Sequence, residues 1–367
     1  MDVKGKNFTR FLERQQAHND QHDARIKAKQ HSKGKLTAWE RLDILFDEDT
    51  FEEVDAFVTP DKTDTGFGKV QQAYGDGVII GHGLIRGRLT FAYAQDFTVM
   101  GGSLGTVHAA KIMKIQDMAL KMGAPMIGLI DSGGARIQEG VASLAGYAGI
   151  FHRNVQSSGV IPQISVIMGP AAGGAVYSPA ITDFVFMTDQ TSYMFVTGPN
   201  VVKEVLNEDV SLNDLGGAGV HSKKSGVAHL VYPDEENTLM GVRQLLAYLP
   251  SNNMENSPEV ELSVNETEDV EEKLRDIVPD DPNKPYNVKD IIRLVVDKRS
   301  FYEISENYAQ NIVIGFGRLD GKVIGMVVNQ PKVLAGTLDI NSSNKGARFI
   351  RFCDAFNIPL LILEDVP

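Results

Sequence analysis

Hydrophobic residues follow two patterns in the first half of the chain, and together they predict a layered α/β core. Apolar and polar positions alternate over 77–97 with glycines between them, which predicts short hairpin strands. Apolar residues at helical spacing over 104–122 predict a helix that ends at Gly123. Continuous apolar runs at 125–130 and 160–168 predict two buried strands, each leading directly into a glycine-rich turn. This order of elements is typical of an α/β fold.

The second half of the chain repeats the first. When the chain is aligned with itself, one constant shift without gaps brings glycines, a proline and an aspartate of the two halves into register; we call it the main shift. A segment upstream of these residues repeats at a slightly larger shift, which we call the upstream shift. The main shift pairs Gly81 with Gly315, Gly83 with Gly317, Gly87 with Gly321, Lys111 with Lys345, Pro125 with Pro359 and Asp131 with Asp365, and the upstream shift pairs Phe51 with Phe301. We therefore expect two copies of one α/β unit. The second copy is expected to be cut off at Pro367, without counterparts of residues 134–250.

An acidic, proline-bracketed stretch separates the two copies. Residues 255–281 contain eleven acids and only two bases, Lys273 and Arg275. This composition is typical of a domain linker, and it is expected to be partly helical around 270–277. The predicted organisation is an N-terminal domain at 1–255, an acidic linker at 256–285 and an incomplete C-terminal domain at 286–367.

Composition narrows the classes of function. The 367 residues carry a formal net charge of −12, which argues against a general nucleic-acid binder. One cysteine, Cys353, excludes an intramolecular disulfide framework and a zinc site built on three or four cysteines. It also favours a reducing compartment, so we expect a cytoplasmic protein. The uncharged stretch 154–182 is long enough to span a membrane, but its glycines and prolines favour a buried strand and a turn.

The candidate chemistry lies in the backbone more than in the side chains. The sequence contains no HExxH motif, and its eight histidines form no ligand pattern. The turn after 160–168 contains Gly173 and Gly174, and backbone N–H groups at the start of a helix form oxyanion holes. A second turn, DSGGARIQEG at 131–140, follows the other buried strand. The alternative is that both turns serve packing alone.

Two further groups of residues are candidates for substrate binding. In the second turn they are Gly133, Gly134, Ala135 and Arg136. Arg136 is expected either to bind a ligand or to anchor its loop through a carboxylate such as Glu139. A run of bases with no acid between Asp23 and Glu40 includes Lys33 and Lys35, which are expected either to contact ligand phosphates or to lie on a solvated helix face.

Long strings in the chain carry a family resemblance. They are YGDGVIIGHG, AQDFTVMGGSLGTVHAAKI, DSGGARIQEG, GPAAGGAVYSPAITDF, MFVTGPNVVKEV, LGGAGVHSKKSGVAH, GKLTAWERLDILFDEDTFEE and LDINSSNKGARFIRFCDAFNIP. Together they resemble the carboxyltransferase (β) subunit of biotin-dependent acyl-CoA carboxylases, of the propionyl-CoA carboxylase type. The carboxyltransferase subunits of biotin-dependent methylmalonyl-CoA and glutaconyl-CoA decarboxylases are similar. The resemblance covers nearly the whole chain.

The resemblance implies a fold and a site. It implies a crotonase-like (ClpP/crotonase) ββα superhelix in each half and a ring-shaped oligomer, usually a hexamer. The N–H groups of Gly173 and Gly174 are then expected to hold the thioester carbonyl of an acyl-CoA. A second pair of N–H groups, for the biotin carbonyl, is expected after Pro367. Ala171 and Ala172 stand where the family often has a cysteine, a departure that leaves a backbone role intact.

The resemblance also implies a reaction and partners. The expected enzyme moves a carboxyl group from carboxybiotin to the α carbon of a short-chain acyl-CoA, so that propionyl-CoA gives methylmalonyl-CoA. No metal is expected, and biotin is expected on a partner, a biotin carboxylase or carboxyl carrier subunit, since the chain has no Met-Lys-Met attachment site. One alternative is a subunit of a sodium-pumping decarboxylase. Another is an inactive fragment that binds acyl-CoA or assembles with a partner, and poor solubility is expected for the isolated chain.

Overall fold

The computed structural model describes residues 5–20, 24–61, 68–261, 270–281 and 284–367. The described helices and strands are, in chain order, α1 (Lys6–Asp20), α2 (Ala24–His31), α3 (Ala38–Leu45), β1 (Glu52–Val54), β2 (Val78–Ile85), β3 (Arg88–Gln95), α4 (Thr106–Met122), β4 (Met126–Ser132), α5 (Val141–Ser157), β5 (Gln163–Ala172), α6 (Tyr177–Ile181), β6 (Phe184–Thr188), β7 (Tyr193–Phe195), α7 (Pro199–Leu206), α8 (Leu212–Gly216), α9 (Ala218–Val220), β8 (Leu230–Tyr232), α10 (Glu235–Leu246), α11 (Val270–Ile277), α12 (Val288–Val295), β9 (Tyr302–Ile304), β10 (Ile312–Leu319), β11 (Lys322–Asn329), α13 (Ile340–Ala355) and β12 (Leu360–Leu363).

The chain divides into two compact units. The first comprises residues 1–218 and 231–242, and the second comprises residues 219–230 and 243–367. The chain passes from one unit to the other between Val242 and Arg243, upstream of the predicted linker. Helix α11 lies within that linker where a helix was expected, whereas residues 262–269 and 282–283 lie outside the described residues. The functional domain limits at 255 and 286 stay a prediction.

A mixed eight-stranded sheet contains both predicted buried strands. Its order is β1-β2-β3-β4-β5-β6-β8, with β7 pairing with β5. The expected hairpin is β2–β3, whose turn at Arg86 and Gly87 has positive φ at both residues. Strands β3, β4, β5 and β6 are parallel neighbours, and every residue of β4 is buried. The carboxyl ends of β4 and β5 therefore lie at the same edge of the sheet.

Helix α4 lies where its apolar spacing predicts. Ile112, Ile115 and Ala119 are buried, and the helix ends at Gly123, whose φ of 63° is left-handed. Glycine reaches this conformation without the steric penalty of a Cβ, which is why the helix stops there.

The second unit repeats the elements of the first from α3 to β4, which confirms the predicted repeat. The upstream shift, which carries Phe51 onto Phe301, places the first residues of α3 and β1 on the first residues of α12 and β9. The main shift, which carries Gly81 onto Gly315, places the first residues of β2, β3, α4 and β4 on those of β10, β11, α13 and β12. The strands of this unit form a sheet in the order β12-β11-β10-β9. Ile362 of β12 is 50% exposed, and the poor solubility expected from such exposure stays a prediction.

Candidate active site

The two glycine-rich turns lie side by side at the ends of β4 and β5. Ser132, at the end of β4, pairs with Ala171 of β5. Gly134 has a φ of 102°, and a Cβ built on it would lie only 2.8 Å from the carbonyl oxygen of Ala172. A side chain at residue 134 would therefore force the two turns apart.

Gly173 and Gly174 begin a short 3-10 turn that leads into α6. N–H groups at the first positions of a helical turn have no partner within it, so they are available to an acceptor. The two glycines differ in their surroundings. A Cβ on Gly173, whose φ is 57°, would meet only the carbonyl oxygen of Val196, at 3.9 Å, whereas one on Gly174 would lie 2.7 Å from the ring of Tyr147. The turn is half-buried, packed on one side and open on the other.

Neighbouring segments already use the polar groups of the DSGG turn. The Gly133 N–H donates to the Gly101 carbonyl at 2.9 Å, and the Gly134 N–H donates to the Ser132 hydroxyl at 3.2 Å. Ala135 forms a bridge with Leu104. These contacts fix the shape of the turn, and substrate contact by Gly133, Gly134 or Ala135 stays a prediction.

Arg136 is fully buried and surrounded by acceptors. Its Nη1 lies 2.7 Å from Asp76 Oδ1 and 2.9 Å from Glu139 Oε1, and its Nη2 donates to the Ser103 carbonyl at 3.0 Å. Burial raises the pKa of the Asp76 carboxyl, although Arg136 acts in the opposite direction. The geometry supports the interpretation that Arg136 anchors its loop, and contact with substrate stays a prediction.

The two candidate lysines lie in different environments. Lys33 is exposed in the turn after α2. Lys35 is buried, its Nζ lies 2.5 Å from Asp131 Oδ2, and it lies over the ring of Phe97 at 4.8 Å. Burial lowers the pKa of the Lys35 ammonium, against the effect of Asp131. The structure thus places Lys35 against the start of the DSGG turn, and phosphate binding by either lysine stays a prediction.

Two charged residues beside the site were not found by sequence reasoning. Arg41 of α3 donates to Asp131 Oδ2 at 3.0 Å and, through Nε and Nη2, to both carboxylate oxygens of Glu235, each at 2.7 Å. Arg41 lies within one of the strings that carry the family resemblance, which was the only available signal for it. Nothing in the sequence indicates that Glu235, far along the chain, would be its partner.

Within the described residues, no three histidine, cysteine, aspartate or glutamate side chains are grouped so that they could hold a metal ion. No helix in that part of the chain is long and apolar enough to cross a membrane.

Comparison with known protein families identifies the family of this chain. Residues 29–367 match the family model described as "Carboxyl transferase domain". The chain belongs to this family. The predicted α/β, crotonase-like fold is confirmed by the solved carboxyltransferase structures that the chain resembles.

Curated members of the carboxyl transferase family are similar over most of this chain. The "Propionyl-CoA carboxylase, carboxyltransferase subunit" of Haloferax mediterranei is 56% identical over 340 residues, which are 93% of this chain. The "Methylmalonyl-CoA decarboxylase subunit alpha" of Veillonella parvula is 55% identical over 339 residues, which are 92% of this chain. The chain spans 66% of the length of each of these relatives, slightly less than two thirds.

A solved structure gives the same result for the fold. Transcarboxylase 12S, determined as a hexamer assembly with methylmalonyl-coenzyme A and methylmalonic acid bound, superimposes with a TM-score of 0.94 at 46% identity. The match covers 100% of this chain and 71% of the transcarboxylase chain. Both units of the chain therefore have counterparts in the transcarboxylase.

Proposed function

We propose that the chain is part of a carboxyltransferase that moves a carboxyl group from carboxybiotin to the α carbon of a short-chain acyl-CoA. Propionyl-CoA, giving methylmalonyl-CoA, is the proposed substrate. The observation that carries the proposal is the Gly173–Gly174 turn, which has N–H groups without partners inside the turn and open space at Gly173. The similarity to the Haloferax mediterranei propionyl-CoA carboxylase subunit supports the choice of substrate.

The chemistry follows from what two N–H groups provide. Removal of the α proton of a thioester places negative charge on its carbonyl oxygen. Hydrogen bonds from Gly173 and Gly174 to that oxygen strengthen as the charge develops. Biotin, carried by a partner, supplies the carboxyl group and the base, and we assign no residue of this chain to it.

The test is an assay of the complete protein with its biotin-bearing partner. We expect methylmalonyl-CoA to form from propionyl-CoA only when both propionyl-CoA and carboxylated biotin are present. Binding of propionyl-CoA without any transfer would overturn the proposal and favour a protein that binds acyl-CoA or assembles with a partner. No binding of propionyl-CoA at all would exclude propionyl-CoA both as a substrate and as a bound ligand, and would leave assembly with a partner.

A decarboxylase subunit is the second candidate. The similarity to the Veillonella parvula methylmalonyl-CoA decarboxylase subunit supports it. The domain chemistry is the same in the reverse direction, so the partners decide between the two. Copurification with a biotin carboxylase favours the carboxylase, whereas copurification with a membrane subunit and sodium-dependent decarboxylation favour the decarboxylase.

The assembly and the location are further proposals. We propose a homo-oligomer, a hexamer as described for transcarboxylase 12S, that works with a biotin carboxylase or carboxyl carrier subunit in the cytoplasm. Helix α7 supports an oligomer because Val201, Val205 and Leu206 are exposed apolar side chains. Light scattering of the complete protein tests this, and a monomer would contradict it.

A further inference from the structure

The pairing of β4 with β5 changes register just before the two turns. Ile130 pairs with Ile167, whereas Ser132, the next residue but one, pairs with Ala171. Asp131 therefore stands opposite the whole segment 168–170 of β5. Such a bulge redirects a strand and removes ladder hydrogen bonds from the residues within it. The bulge thus sets where the Gly173–Gly174 turn lies relative to the DSGG turn.

Arg41 contacts both strands at this bulge. Its Nη1 donates to Asp131 Oδ2 at 3.0 Å, and its Nη2 donates to the carbonyl oxygen of Met168 at 3.2 Å. Glu235 binds the remaining edge of the guanidinium, and Arg41 as a whole is only 1% exposed. One planar group with fixed donor directions therefore joins the base of one turn to the base of the other.

Lys35 completes the cluster, because its ammonium and Arg41 Nη1 contact the same oxygen, Asp131 Oδ2. A Cβ built on Gly169 would collide with both the Asp131 carboxylate and the Lys35 ammonium. The charged groups therefore pack directly on the backbone of the bulge, where only glycine leaves them room. Asp131 is held by two cations, both within the first unit.

The second unit repeats the elements from α3 to β4 without this cluster. Ile291 occupies the position that the upstream shift pairs with Arg41, on the equivalent helix α12. Asp365, which the main shift pairs with Asp131, accepts a hydrogen bond from the Tyr286 hydroxyl at 2.7 Å. The elements that the two units share therefore form without a buried arginine at this position, whereas β5 and Glu235, which Arg41 contacts, lie in the first unit.

We propose that Arg41 is a positioning residue that fixes the bulge and thereby aims the N–H groups of Gly173 and Gly174 at the thioester oxygen. This inference rests on the proposed function. Arg41 does not touch the substrate; it acts through Asp131 and the Met168 carbonyl. Lysine cannot replace it, because one ammonium does not present the same fork of donors to three acceptors.

The test measures the contact with the thioester carbonyl separately from stability. The complete protein and its Arg41→Lys variant are titrated with propionyl-CoA and with S-propyl-CoA, a thioether that lacks the carbonyl oxygen. We expect the preference for propionyl-CoA to fall by about three- to tenfold in Arg41→Lys, the size of a lost hydrogen bond. We also expect kcat per folded protein to fall by about 10²-fold, with a smaller change in KM, because the contact strengthens in the transition state.

Arg153→Lys is the matched control, since Arg153 of α5 forms a bidentate ion pair with Asp117 of α4. It should leave the preference unchanged. A purely structural role for Arg41 would lower the folded fraction without changing the preference, and that result would overturn the inference.

Two further outcomes are decisive. If Arg41→Lys does not fold, Glu235→Gln is the second variant, because it weakens the hydrogen bonds that hold the Arg41 guanidinium. It should also reduce the preference for propionyl-CoA over the thioether, and an unchanged preference would overturn the inference. If the unmodified protein turns over propionyl-CoA but shows no preference for it over the thioether, the oxyanion hole at Gly173 and Gly174 is wrong, and the inference is wrong with it.

Discussion

Gly134 lies against the carbonyl oxygen of Ala172, and this contact joins the two glycine-rich turns of the first unit. A Cβ at residue 134 would be 2.8 Å from that oxygen, and the φ of 102° is one that other residues rarely adopt. The neighbouring Gly133 has no such restriction, since its Cβ would lie 3.5 Å from the nearest atom, the Gly101 carbonyl oxygen. The two adjacent glycines thus differ in whether the structure leaves room for a side chain.

We expect Gly134→Ala to destabilise the protein by about 1–3 kcal/mol because of backbone strain and the contact with Ala172. It should also weaken propionyl-CoA binding, because the turns are pushed apart. Gly133→Ala is the matched control and should change the free energy of unfolding by less than about 0.5 kcal/mol. Chemical denaturation and calorimetric titration measure both effects, and equal destabilisation by the two variants would contradict this account.

Gly173→Ala should abolish most activity while leaving the protein folded. The added methyl group points into open space, which is where the thioester is proposed to lie. Gly87→Ala, in the β2–β3 hairpin, is the matched control because Gly87 also has a positive φ and open space around it. Both variants should lose about 1–2 kcal/mol of stability, the strain of a left-handed residue. Only Gly173→Ala should reduce kcat, by about 10²-fold. Full carboxyl transfer by Gly173→Ala would exclude this turn as the oxyanion hole.

Arg136→Met should destabilise the protein strongly, by about 3–5 kcal/mol, because it leaves the buried Asp76 carboxylate without its charged partner. Arg153→Met removes a more exposed pair with Asp117 and should have an effect of less than about 1 kcal/mol. Urea denaturation compares the two. An Arg136→Met protein with unchanged stability that fails only to bind propionyl-CoA would instead assign Arg136 to the substrate.

Lys345 gives a pH-dependent prediction for the second unit. Its ammonium donates to the carbonyl oxygens of Ser305, Tyr308 and Ile312 at 2.7–2.9 Å, and burial lowers its pKa to about 8. Between about pH 8 and the pKa of 10.5 of a free lysine, the unfolded chain binds the proton more tightly. The contribution of Lys345 to stability should therefore increase as pH rises through this window.

The measurement is the difference in free energy of unfolding between the unmodified protein and Lys345→Met, at about pH 7 and about pH 9.5. The difference should shift in favour of the lysine at the higher pH. Lys322→Met, at an exposed position of β11, controls for the loss of a lysine as such. The same difference at both pH values would show that Lys345 does not titrate in this range.

Sequence and structure agree best where the pattern is local. The alternating residues of the β2–β3 hairpin and the apolar run of β4 define strands because side-chain burial in a sheet has a fixed period. The repeat was equally visible, since glycines at turns and close contacts must recur wherever the same unit folds. Arg136 was less predictable: an arginine after Gly-Gly-Ala is compatible with a ligand contact or an anchor, and only the positions of Asp76 and Glu139 favour the anchor.

The sequence by itself determined the α/β units, their duplication, the two glycine-rich turns and the family resemblance. These features depend on residues close together in the chain and on the steric freedom of glycine. Only the tertiary structure decided that Lys35 is buried whereas Lys33 is exposed, and that Arg41 joins Asp131 to Glu235. Buried charges find their partners through packing between distant segments, and no local pattern records which carboxylate will face which cation.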